Sequence, residues 1–229
     1  MDNQTLVASP QLELKLLEGH DLISGLHLSN THSLPNTADL AHPIDPTIPL
    51  VLQNFTYDGS TIPVQFYEVT FQGMGIFSQL QSRWSEVFQS TIGLRYDSDS
   101  RFGEVLNPRL GLNIQCTKKS VGRLLYGEGY LAPSTYDMYH HFGAFNGATP
   151  PVSKFFHVAN PNLMPEKVRT LESNYSHALS NKTAIEVSTS YSQITDIIMN
   201  VQTKNANVPF FGGTLVNIEK SVNVGRASL

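Results

Sequence analysis

In "VFQSTIGLRYD" (87–97), Phe88, Ile92, Leu94 and Tyr96 alternate with Gln89, Thr91, Arg95 and Asp97. A period of two sends these sets to opposite faces of an extended strand. The pattern returns along the chain. Leu12, Leu14 and Leu16 oppose Glu13 and Lys15; Leu110, Leu112, Ile114 and Cys116 oppose Arg109, Gly111, Asn113 and Gln115. Leu171, Tyr175 and Leu179 oppose Glu172, Asn174 and Ser176, and Ile185, Val187, Thr189 and Tyr191 oppose Glu186, Ser188, Ser190 and Ser192. No segment carries a 3.6-residue apolar stripe beyond about two turns. The chain therefore reads as all-β, with strands of about 10 to 13 residues, longer than usual and long enough to cross a bilayer at a tilt.

The polar faces narrow the class. Charged residues make up 15% of the chain, against roughly 25% in ordinary soluble domains. A face in bulk water usually carries many Lys and Glu. Faces of Ser, Thr, Asn and Gln suit a lumen, where neighbouring strands and water satisfy them. The connections add a rhythm of short and long. Short turns fall at Glu18–His20, Arg83–Glu86, Thr117–Ser120 and Ser180–Lys182, and longer loops are expected at about 30–63, 98–105, 132–166 and 199–216, all on one side. Compact soluble domains seldom hold several such loops, whereas outer-membrane barrels do so regularly.

Other classes find little support. A net charge of −4 gives no basic face for nucleic acid. The single cysteine, Cys116, excludes an internal disulfide framework and a multi-cysteine zinc site. No apolar run approaches the ~18 residues of a membrane helix, and "MDNQTLVASPQ" lacks a signal-peptide pattern. No nucleophile elbow, phosphate-binding glycine loop or metalloprotease helix occurs, so no catalytic residue, cofactor or resident metal is expected.

Five stretches, in series, carry a family resemblance: "STIGLRYDSDSRFG" (90–103), "LNPRLGLNIQ" (106–115), "RLLYGEGYLAPSTYDMY" (123–139), "NPNLMPEKVRTLESNYSH" (160–177) and "VNVGRA" (222–227). Together they resemble the β-barrel of TonB-dependent outer-membrane receptors, from about residue 64 onwards, with a weaker match at 11–29. Leu131 stands where that family often has Arg. The resemblance implies an antiparallel meander of about nine long strands, one segment (1–229) of a 22-stranded transmembrane barrel. It further implies a Gram-negative outer membrane, lipid around the wall, and a plug domain and the TonB energy-coupling complex as partners of the full receptor. The ligand implied is an extracellular small molecule, most often a ferric siderophore or other metal chelate. The alternative on residues alone is a self-contained small β-barrel or β-sandwich acting as a binding or adhesion module.

Within this frame Ala132-Pro133 ends a strand, because proline cannot donate to the ladder. The aromatic loop that follows offers Tyr136, Tyr139, His140, His141, Phe142 and Phe145, as a ligand cradle or as an interfacial girdle with loop packing. Adjacent His140 and His141 point opposite ways on an extended chain, which disfavours joint metal ligation. Arg95, Arg109, Arg123, Glu128 and Glu172 are expected on the inner wall, as plug contacts or as satisfied lumen polarity.

Overall fold

The structure, a computed structural model, describes residues 2–34, 54–56, 63–65, 69–139, 142–145, 152–210 and 213–228. β1 (Asp2–Ala8) and β2 (Gln11–Leu17) both pair with β3 (His20–Leu34). They behave as one edge strand interrupted at Ser9-Pro10. Pro10 donates nothing but still accepts from Leu26 N at 3.1 Å, the arrangement an edge proline tolerates. β1 is absent from the sequence reading because "DNQTLVA" shows no clear alternation.

β4 (Asn54–Thr56) and β5 (Pro63–Gln65) form a separate pair. The meander continues through β6 (Val69–Arg83), β7 (Phe88–Asp99), β8 (Gly103–Thr117) and β9 (Ser120–Leu131). After β9 come α1 (Thr135–Tyr139), β10 (Phe142–Phe145) and β11 (Ser153–Val158). β12 (Glu166–Ser180) and β13 (Thr183–Thr203) follow, then the small β14 (Val208–Phe210) and β15 (Gly213–Leu215), and finally β16 (Ile218–Ser228). The main sheet runs β1-β3-β6-β7-β8-β9-β12-β13-β16-β11-β10, with β2 on β3. All neighbours from β1 to β16 pair antiparallel. With β1 and β2 taken together, the long strands are the nine expected.

Register explains why the alternation was so regular. Leu14, Leu22, Leu80, Ile92, Leu110, Tyr126, Leu171 and Tyr191 lie opposite one another in turn, an apolar row across eight strands. Its members remain open to the outside: Ile92 is 54% and Tyr191 52% exposed. One residue along lies a polar row: Gln79, Gly93, Arg109, Gly127, Thr170 and Ser192. There hydroxyls and amides satisfy one another across strands, Thr170 Oγ1 with Ser192 Oγ at 2.9 Å and Asn174 Nδ2 to Ser188 Oγ at 2.8 Å. No second large sheet covers either face, and β1 and β2 have β3 as their one partner among the described residues. The sheet is open, which removes the sandwich and the self-closed small barrel.

Antiparallel order places the connections β3–β6, β7–β8, β9–β12 and β13–β16 at one end and the short turns at the other. Several bounds differ from the reading of the sequence. β3 continues to Leu34, the β7–β8 connection shrinks to residues 100–102, and β13 runs on to Thr203. The described residues of segment 132–165 also form elements of their own. β11 pairs in parallel with β16, Phe156 opposite Ile218 and Val158 opposite Lys220. Met138, Phe156 and Leu163 are fully buried and Leu215 is 2% exposed, so the only compact apolar core among the described residues lies at the long-connection end.

Candidate functional site

On β7, Asp97 and Asp99 alternate with Ser98, and Arg101 follows at the same period. This spacing sends Arg95, Asp97, Asp99 and Arg101 to one side, the polar one. The Asp99 carboxylate accepts from Arg101 N and Nε at 2.9 Å each and from Nη2 at 2.8 Å. The guanidinium lies 3.8 Å from the Phe71 ring centre, and Nη1 donates to Pro133 O at 3.3 Å. A charged fork fixed by a carboxylate and stacked on an aromatic face is rigid, and it ties the β7–β8 connection to the exit of β9. Arg95 makes the second pair: Nε reaches both Asp97 oxygens at 2.9 and 2.8 Å, and Asn107 Nδ2 adds a contact at 3.4 Å. Asp97 is nearly buried, while the Arg95 side chain stays 41% exposed.

Beside this pair is a hollow of about 430 Å³, lined among others by Phe77, Gln79, Arg95, Asn107, Arg109 and Tyr130. The Arg95–Asp97 pair in its wall lies against Gly75, which pairs with Asp97 across the strands. A Cβ there would come within 2.5 Å of Asp97 Oδ1 and 2.6 Å of Arg95 Nη2. Gly75→Ala is therefore expected to push the pair apart and to cost about 1–3 kcal/mol through the buried carboxylate. A thermal melt in detergent checks this against Gly127→Ala, whose methyl group would meet nothing within 4 Å. Equal effects of the two changes would remove the role given to Gly75.

Arg109 borders this hollow and a second one of about 430 Å³, which also holds Gln81, Thr91, Asn113, Thr170 and Glu172. Arg123 and Glu172 share a third with Ser190. Arg109, Arg123 and Glu172 form no ion pair among the described residues. Glu128, expected on the inner wall with these residues, instead lies opposite Arg169 on the side of Tyr126 and Leu171, because it is one position out of step with Gly127 and Arg109; its carboxylate accepts a hydrogen bond from the Tyr126 hydroxyl on that face.

The aromatic segment is more anchored than its sequence suggests. Ser134 caps α1, accepting from Asp137 N at 3.0 Å and donating to Asp137 Oδ2 at 2.6 Å. Asp137 Oδ1 lies 2.6 Å from the buried Ser221 hydroxyl, and Asn160 Nδ2 donates to Ser221 O at 2.8 Å. Tyr136 is 38% exposed, with its ring 5.1 Å from that of His157. Tyr139 is half-buried close to the Asp99–Arg101 pair. Burial is the main cause that pushes its phenol above the ordinary tyrosine value, with Asp99 adding and Arg101 opposing, so its hydroxyl stays a donor at neutral pH. His140 and His141 lie outside the described residues, as do the side chains of Phe142 and Phe145 on β10. Asp99, Arg101, Phe71 and Tyr130 were not singled out from the sequence. The polar run "DSDSR" at a strand end is the signal that could have found the first two.

An open, two-faced antiparallel sheet with an arginine-lined polar side defines a segment of a β-barrel wall. Residues 2–228 match the family model described as "TonB dependent receptor-like, beta-barrel", and the chain belongs to that family. Among solved structures, a mutant ferric enterobactin receptor (PfeA) from Pseudomonas aeruginosa superposes with a TM-score of 0.72 at 16% identity, covering 99% of this chain and 32% of that one. The siderophore receptor PirA from Pseudomonas aeruginosa gives 0.66 at 13% identity, covering 99% and 38%. A Serratia marcescens hemophore receptor HasR, solved with its hemophore HasA and heme, gives 0.59 at 12%, covering 99% and 38%. The chain thus spans about a third of the length of these structures. No curated protein matches it in sequence.

Proposed function

We propose that this chain forms part of the barrel wall of a Gram-negative outer-membrane receptor for energy-coupled uptake of a scarce nutrient. The wall encloses a plug domain, and the TonB complex supplies the energy. The long connections face the outside, and the ligand is an extracellular metal chelate, with a ferric siderophore the favoured class. The observation that carries this reading is the apolar row from Leu14 to Tyr191, left open on one face while the opposite face is polar. Such a sheet is at home with lipid on one side and a wet lumen on the other.

The ligand class rests on the first hollow. Its aromatic rings, the half-exposed Arg95 and an Arg109 without an ion pair among the described residues suit an anionic chelate that carries aromatic faces. Titration of the detergent-folded chain with ferric enterobactin, haemin and cyanocobalamin separates the classes. Arg95→Gln with Arg109→Gln is expected to weaken the ferric catecholate by roughly tenfold or more, since hydrogen bonds to charged groups contribute about 1.5–3 kcal/mol. A chelate affinity indifferent to both changes would refute the ligand class and leave the wall reading standing.

A further inference from the structure

The apolar face ends in a patch of cations. Lys167 and Arg169 on β12 share the side of Leu171 by alternation, and both are exposed. Lys167 lies opposite Thr195 of β13, and Thr195 opposite the exposed Arg226 of β16. Arg169 lies between Gln193 and Glu128 in register. From strand spacing and rise, the three cations start within roughly 12 Å of one another. None forms an ion pair among the described residues. Of the nearby carboxylates, Glu128 is engaged with the Tyr126 hydroxyl and Glu166 with Ile198 N at 2.7 Å, and Asp196, next to Thr195 at a φ of 58°, forms no ion pair with the three among the described residues.

Their level is informative. A barrel strand crosses the hydrocarbon in about 9–11 residues. Counted from the short turn between Ser180 and Thr183, that length ends near Gln193 on β13 and near Arg169 on β12. The cations thus begin where Leu171 and Tyr191 leave off, at the depth of the headgroups.

We propose that Lys167, Arg169 and Arg226 bind the phosphate of lipid headgroups in the leaflet at the long-connection end, a site that rests on the membrane reading above. The arginine forks match phosphate oxygens two at a time, and the lysine adds a mobile point charge. Glu128 and Tyr126 border the patch and limit it on the β9 side.

The test uses the full chain folded in neutral detergent, titrated separately with phosphatidic acid, phosphate-free diacylglycerol and inorganic phosphate, with bound lipid counted by native mass spectrometry. Failure to fold in detergent would strike the membrane reading itself. A folded chain that takes both lipids equally overturns the phosphate patch alone, and equal binding of inorganic phosphate would make it a soluble-anion site instead. The expected result is preference for phosphatidic acid, lost about a hundredfold in K167Q/R169Q/R226Q, at roughly fivefold per cation. K118Q/K119Q, at the short-turn end, is expected to keep the preference, and an equal loss there would reduce the patch to unspecific charge. Raised salt should weaken the preference of the unaltered chain, since these heads are solvent-facing.

Discussion

Purified without detergent, the chain is expected to precipitate or elute as large aggregates, and to give a folded, strand-rich species only in micelles or bilayers. It exposes 14168 Å², where a soluble monomer of its 25.3 kDa would expose roughly 10,000 Å². Much of the excess is apolar. Leu12, Leu16, Ile76, Ile92, Leu94, Leu106, Ile185 and Val187 are each at least half exposed, forming a surface well beyond the few hundred Å² of contiguous apolar patch a soluble monomer tolerates. The side of β1 and β2 that is unpaired among the described residues adds a row of backbone donors and acceptors ready to template aggregation. The measurement is light scattering and circular dichroism, with and without detergent, followed by a thermal melt. A monodisperse monomer with a cooperative transition in plain buffer would sink the barrel-wall reading. Material that regains strand signal only on adding detergent would support it, because the apolar rows then meet the environment their exposure requires.

The parts of this fold that were legible in the sequence are those where one physical demand repeats. Lipid on one side and a wet lumen on the other force the period of two, so the strands around Ile92, Leu112, Leu171 and Val187 could be read directly. Strand ends were harder, because the reading stopped at the length that crosses a bilayer. β13 keeps alternating through Met199 and Val201 to Thr203, since a sheet need not end at the membrane. The small core of Met138, Phe156, Leu163 and Leu215 was not legible, because it gathers residues up to 77 positions apart and no local period marks them. The site divides in the same way. Arg95, Asp97, Asp99 and Arg101 share a face by spacing alone, whereas Phe71 beneath Arg101 depends on the register of β6 against β7.

Phe156→Ala is expected to unfasten segment 132–165 while leaving the meander intact. Phe156 is fully buried at the long-connection end, as are Met138 and Leu163, and its amide donates to Asn217 O at 2.9 Å. Truncating a buried phenylalanine costs about 3–5 kcal/mol. Phe156 lies on β11, which pairs with the meander through β16, so the loss falls on local opening there and not on the strands beyond it. Three anchors would be left to share the load: the β11–β16 pairing, the Asp137–Ser221–Asn160 knot, and Asn223, which accepts from Met164 N at 2.9 Å and donates to Met164 O at 2.8 Å. Hydrogen exchange in micelles gives the readout. Amides of 153–158 and 213–220 should exchange about two to three orders of magnitude faster, because each 1.4 kcal/mol is a factor of ten. Those of β7 to β9 should not change. If the whole sheet loosened together, the segment would be a structural member of the wall; if nothing loosened, the polar anchors alone would hold it. Tyr139 gives the change a consequence at the site. It sits on the same segment, half-buried by the Asp99–Arg101 pair, so a loosened segment should also expose its phenol and let its pKa fall back toward the ordinary tyrosine value.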